Sequence, residues 1–231
     1  MYRKSERKIA RLELLDELDQ EQITALQRLA FSRNLEIRAR AAVLLALWCD
    51  ERTEEILYHL TFDRDEVVRL EAIDSLSAGR SMMSLQRLEQ LCRHDDGYVR
   101  FFALQSHYDV YRKICGESEE SKESYLRYLR GLGPEEDGTL PALAVKKLQY
   151  LCGSREGLTE IIKALPEALK TGNYSLVSPA LNILVEIVEP FSSSAQEVKE
   201  AILPLSDRLD QNQYAQAAAM IGSLPQGAAP A

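Results

Sequence analysis

Chemistry in a protein needs nucleophiles, titratable groups or metal ligands at usable spacing, and this chain holds few. Only three histidines occur: His59, His94 and His107. His94-Asp95-Asp96 sets an imidazole beside two carboxylates, the composition of an acid/base cluster. Three consecutive turn residues rarely converge on one substrate, however. His59 stands beside Leu60 in a helical run and reads as a surface or boundary residue. Cys49, Cys92, Cys115 and Cys152 show no CxxC or CxxH spacing, so a zinc site has no support. Three of them sit near the ends of apolar runs, where a thiol acts as a small hydrophobe, and buried reduced thiols are expected. No Gly-rich phosphate loop, GxSxG turn, HExxH or calcium-loop pattern is present. The chain is expected to be no enzyme and to carry neither cofactor nor metal.

The elements that position these residues come from an internal repeat. Asn34-Leu-Glu-Ile37-Arg38-Ala-Arg-Ala41, Asp65-Glu-Val-Val68-Arg69-Leu-Glu-Ala72 and Asp96-Gly-Tyr-Val99-Arg100-Phe-Phe-Ala103 align at a period of 31 residues. Leu26 and Leu29, Leu57 and Leu60, and Leu88 and Leu91 hold matching offsets upstream. Each unit reads as a first helix with leucines at i, i+3 and then an Asn or Asp at the N-cap of a second helix. The second helix buries Ile/Val, then a small Ala that lets neighbours approach. Such a hairpin cannot cover both faces alone, so copies must stack.

Within this frame the third unit is unusual. His107 takes the offset held by Leu45 and Leu76. It is either a core histidine bonded to a backbone carbonyl or to Tyr111, or a pocket residue whose burial lowers its pKa. Tyr98, Phe101, Phe102, Tyr108 and Tyr111 share its helix, and Phe102 stands where the other units have Arg40 and Glu71. An outward Phe beside Tyr has the composition of an interface anchor. The same rings would also fill extra volume where the period changes.

That change follows. Leu140-Pro141-Ala142-Leu143 and Ser178-Pro179-Ala180-Leu181 are 38 residues apart, as are Leu165-Pro166 and Leu203-Pro204. Pro141 and Pro179 suit the first turn of a helix, whereas Pro166 and Pro204 fall inside helical runs and should kink them. Hairpins are expected at 120–152, 157–189 and 195–224. Gly116–Glu123 and Gly131–Gly138 read as acidic connectors, and 225–231 as a mobile tail. Residues 5–18 form an N-terminal helix with Ile9, Leu12, Leu15 and Leu18 on one face, capping the first repeat. Its bases Arg3, Lys4, Arg7, Lys8 and Arg11 are the only basic cluster along the sequence and oppose the helix dipole. They form either a solvated cap or a partner contact.

Composition agrees. Among 231 residues, leucine and alanine fill a quarter of the chain, which favours helix. The longest apolar run, Ala41 to Cys49, is too short to span a bilayer, and no signal-like stretch follows Met1–Lys8, so a cytoplasmic protein is expected. The net charge is −8, of which −2 falls on residues 1–113 and −6 on 114–231. An acidic surface disfavours nucleic acid and anionic membrane as partners.

The repeated motif resembles the HEAT repeat family, particularly the compact bacterial form also found in phycobilisome lyases. The resemblance covers residues 20–113. It implies an all-α fold, a right-handed α-α superhelix of about six hairpins plus the capping helix, forming one solenoid over 1–224. It further implies an Asp–Arg ladder between repeats, through Asp65, Asp96, Arg38, Arg69 and Arg100, with Asn34 leaving its rung without a full charge pair. Second helices line the concave surface of such solenoids, which would put Phe102, Arg40, Glu71, Asp74 and Gln105 there. Mixed charges beside aromatics suit a protein or peptide partner. The leading expectation is a non-enzymatic scaffold, adaptor or immunity-like regulator. A small-molecule lyase or chaperone of the phycobilisome type rests on fold analogy alone. A nucleic-acid reading, as in HEAT-like glycosylases, would need a basic groove.

Overall fold

The structure is a computed structural model that describes residues 2–15, 17–188, 193–213 and 215. The expected tail 225–231 and the stretch 216–224 of the last hairpin lie outside the described residues. Every element among the described residues is helical. The chain divides into two compact units, Met1–Ser121 and Lys122–Ala231, and the division falls in the segment where the period changes.

The first unit holds α1 (Tyr2–Leu12), then three hairpins: α2 (Gln20–Leu29) with α3 (Leu35–Ala46), α4 (Glu51–Leu60) with α5 (Glu66–Ser75), and α6 (Met82–Leu91) with α7 (Gly97–Cys115). Each second helix starts at the expected cap. Asn34 accepts from the Glu36 amide at 2.8 Å, Asp65 from Val67 at 3.1 Å, and Asp96 from Tyr98 at 2.7 Å. Each cap residue has extended backbone, so the preceding helix must stop before it. The leucines of the first helices and the Ile/Val–Ala stripe of the second helices are buried. Each fully buried aliphatic side chain contributes about 1.5–3 kcal/mol.

The second helices α3, α5 and α7 pack side by side, while first helices meet far less. An array with one closely packed layer and one splayed layer curves toward the close one, which makes the second-helix layer the inner one of this unit. It is the stacking expected of tandem hairpins.

The N-terminal helix differs from expectation. It ends at Leu12 rather than 18, because Asp19 and Gln22 form a capping box that starts α2 and needs extended backbone at Asp19. Ile9 and Leu12 are buried against α2 and α3 as a cap should be, whereas Leu15 is exposed.

The second unit comprises α8 (Glu119–Leu132, which begins just before it), α9 (Leu140–Leu151), α10 (Arg155–Thr171), α11 (Val177–Ile187) and α12 (Ser193–Ile202). Thr139 caps α9 with Pro141 in its first turn. Pro166 lies inside α10, which runs unbroken around it. At Leu203, the residue before Pro204, α12 gives way to a 3-10 segment, Leu203–Arg208, since proline has no amide to continue the α ladder. Gly157 seats α10 on α9: a Cβ there would stand 2.3 Å from the Lys146 carbonyl oxygen. No helix among the described residues is long and apolar enough to cross a membrane.

Candidate interaction surface

The loop that turns each first helix into its second is set by one repeated brace. Arg38, Arg69 and Arg100 each donate from Nη1 to the carbonyl six residues back, on Ser32 (2.9 Å), Asp63 (2.9 Å) and His94 (2.8 Å). Side chains at those same three positions accept from the amide two residues ahead: Ser32 Oγ from Asn34 (3.2 Å), Asp63 Oδ1 from Asp65 (2.9 Å) and His94 Nδ1 from Asp96 (3.0 Å). His94 is thereby spent on its own turn, so His94-Asp95-Asp96 is loop architecture.

The acid that joins repeats is Asp63, not Asp65. Arg38 grips it through Nε and Nη2, both at 2.7 Å, with both side chains nearly buried. Burial alone would lift the Asp63 carboxyl, but the Arg38 guanidinium and the Asp65 amide outweigh it and hold the group below the ordinary carboxylate range. The implied ladder residues Asp65 and Asp96 act as helix caps. Sequence comparison missed Asp63 because Ser32 and His94 occupy its place in the other units.

Another missed carboxylate is Glu54, almost fully buried on α4. It accepts from the amides of Arg80 (2.9 Å) and Ser81 (3.1 Å) and from the Ser84 hydroxyl (2.6 Å), closing the start of α6. Burial pushes its pKa up, and these donors together pull it below its ordinary value. A signal existed, since Ile23 and Leu85 hold the same offset. In the second unit Lys147, buried on α9, reaches Glu186 of α11 at 2.7 Å.

The expected contact residues divide into two sets. His107 and Tyr108 are buried, so they belong to the core rather than to a contact surface. Burial, with the nearby charge of Arg93, lowers the His107 pKa from 6.5 to about 4. Tyr111 donates its hydroxyl to the Ser121 carbonyl at 3.1 Å. Arg40 is held by Glu13, with Nε 2.7 Å from Oε1 and a second contact from Nη2 to Oε2, which fastens the segment after α1 onto α3. Its guanidinium is a clamp for the cap before it is anything else.

The other set is reachable by a partner. Tyr98 is 52% exposed in the first turn of α7, and Val67, its counterpart on α5, is 53% exposed. Phe101 and Phe102 are half-buried and meet edge to face with ring centres 5.3 Å apart. Glu71 is half-buried and Asp74 exposed one turn apart on α5. Burial and then the Asp74 charge raise the Glu71 pKa. Gln105 is half-buried on α7.

Two basic regions flank this layer. Lys4, Arg7, Lys8 and Arg11 line an open cleft with Leu14 and Leu15, and none of the four makes an ion pair among the described residues. At the loop edge a second cleft gathers Phe31, Arg33, His59 and Arg64 around the Arg38–Asp63 pair. The basic N-terminal cluster is therefore not the only one in space. The thiols differ from expectation as well. Cys92 and Cys152 are buried, Cys49 is half-buried and Cys115 is exposed at the end of α7. Burial, then the Glu54 charge, pushes the Cys49 thiol up to about 11.

Residues 23–106 match the family model of HEAT repeats, a family whose members commonly mediate protein–protein interaction. No curated protein matches the chain.

Proposed function

From the HEAT repeats of residues 23–106, we propose that this chain is a non-enzymatic binding protein that takes a protein or peptide partner on the inner, second-helix layer of its first unit. The observation that carries this reading is the pair Val67 and Tyr98, large apolar side chains left in water at one register of successive repeats. Phe101 and Phe102 extend the apolar strip beside Tyr98, and Glu71 with Asp74 supplies an acidic flank for a basic side chain of the partner. Aromatic anchors beside charge of one sign are the composition of an interface centre with a polar rim. The same face would serve a scaffold, an adaptor or an immunity-like inhibitor. A cytoplasmic setting suits the exposed Cys115, which would stay reduced there.

The test is affinity capture from native lysate followed by measured affinity for the captured protein. Tyr98→Ala and Phe102→Ala are each expected to weaken binding by about 1–2 kcal/mol, the usual range for interface anchors. Partner recovery unchanged by both would remove the strip from the reading. Thermal stabilisation by a tetrapyrrole, or retention on heparin, would move it to the small-molecule or nucleic-acid alternatives.

A further inference from the structure

We propose that the loop edge of the first unit, built on Phe31, Arg33, Phe62 and Arg64, is a second docking strip, separate from the second-helix face, and that it takes an extended acidic protein segment carrying an apolar side chain. The edge is made twice over: Phe31-Ser32-Arg33-Asn34 recurs as Phe62-Asp63-Arg64-Asp65, one repeat of 31 residues later. Phe31 is 63% exposed and Phe62 57% exposed. The fold needs neither ring, because the third repeat puts Arg93 in that place. Phe62 is nevertheless held in position. The Arg87 guanidinium stacks 3.7 Å from its ring centre and is itself fixed by Nε donating to Thr61 Oγ1 at 2.9 Å. A ring ordered on one side and open on the other is prepared for contact.

The charge of the strip selects the partner. Arg33 and Arg64 are exposed and, among the described residues, make no ion pair. The acid in their cleft, Asp63, is already consumed by the bidentate grip of Arg38. On a chain of net charge −8 this is a local positive field. It is short. Asp95 stands where Arg33 and Arg64 do, so the strip ends after two repeats. Two cations with two rings suit separate carboxylates on a peptide better than a continuous polyphosphate. Neighbouring helices stand about 8–10 Å apart, which an extended chain at about 3.3 Å per residue spans in about three residues. The fitting segment therefore has Asp or Glu at i and i+3, with an aromatic or aliphatic side chain between or beside them.

The experiment selects a displayed library of random short peptides on the full chain, then measures the enriched peptides by fluorescence anisotropy. Enrichment of acids three apart beside an apolar residue is expected. Affinity should fall about tenfold or more in Arg33→Glu/Arg64→Glu, with a comparable loss in Phe31→Ala/Phe62→Ala, while circular dichroism stays that of the parent. Phe102→Ala should leave it unchanged, which keeps this strip distinct from the face proposed above. A library that yields no binder, a pool without acid excess, or equal affinity for the charge-reversed chain overturns the proposal. A single-stranded oligouridylate is the second probe; its displacing the peptide at physiological salt shows that the strip reads phosphate, and the proposal falls.

Discussion

His107 shows how one residue out of pattern changes the behaviour of a core. Leu45 and Leu76 fill the same offset in the earlier repeats and are fully buried. An imidazole there must stay neutral, because burial and then the Arg93 charge drop its pKa from 6.5 to about 4. Between those values the unfolded chain takes up a proton that the folded chain refuses, so stability falls as pH falls through that window. The loss amounts to about 3 kcal/mol. Chemical denaturation followed from pH 7 to pH 4 should show this slope, and His107→Leu should flatten it by restoring the repeat's own residue. Glu54 and Asp63, whose pKa values are lowered, add acid sensitivity at the lower end of the range. Burial at position 107 was legible in the spacing alone. The engagement of Arg40 was not, since Glu13 lies outside the repeat and no periodicity points to it.

Elements are most legible where three copies agree. Asn34, Asp65 and Asp96 each start the helix expected of them, because a cap is a local device visible in the sequence beside it. The apolar face alone carries the first helix on to 18 through Leu15 and Leu18, and only the Asp19–Gln22 box requires the break after Leu12. Tertiary seating left weaker marks. Gly157 reads as an ordinary first-turn residue, yet α10 approaches α9 so closely there that a Cβ would clash with the Lys146 carbonyl. Gly157→Ala therefore runs against its usual helix-stabilising direction. It is expected to destabilise the second unit by about 1–3 kcal/mol, the cost of overpacking, as seen by thermal melting.

At the scale of the whole molecule, charge and repeat length govern what the chain can meet. With −8 overall, and −6 of it on residues 114–231, long-range attraction to polyanions is weak. The chain is expected to leave a heparin column unretained at about 0.15 M salt, where fields extend only about 8 Å. Retention there would be traced by reversing Arg33 and Arg64 in one variant and Lys4, Arg7 and Lys8 in another. Composition made the all-α class plain. The loop-edge cations were hidden because Arg33 and Arg64 become neighbours only when the hairpins stack, and the third copy carries Asp95 instead.

The arginine brace bears on how such a chain can grow. Since Arg38, Arg69 and Arg100 each tie down a carbonyl of their own turn, the backbone brace of a corner is closed within its own unit. A 31-residue cassette beginning at Glu51 holds both Asp63 and Arg69 and so carries its own corner with it. Duplicating or excising that cassette should lengthen or shorten the array by one step while keeping the backbone brace of every remaining corner, making this half of the chain a template from which arrays of graded length can be cut.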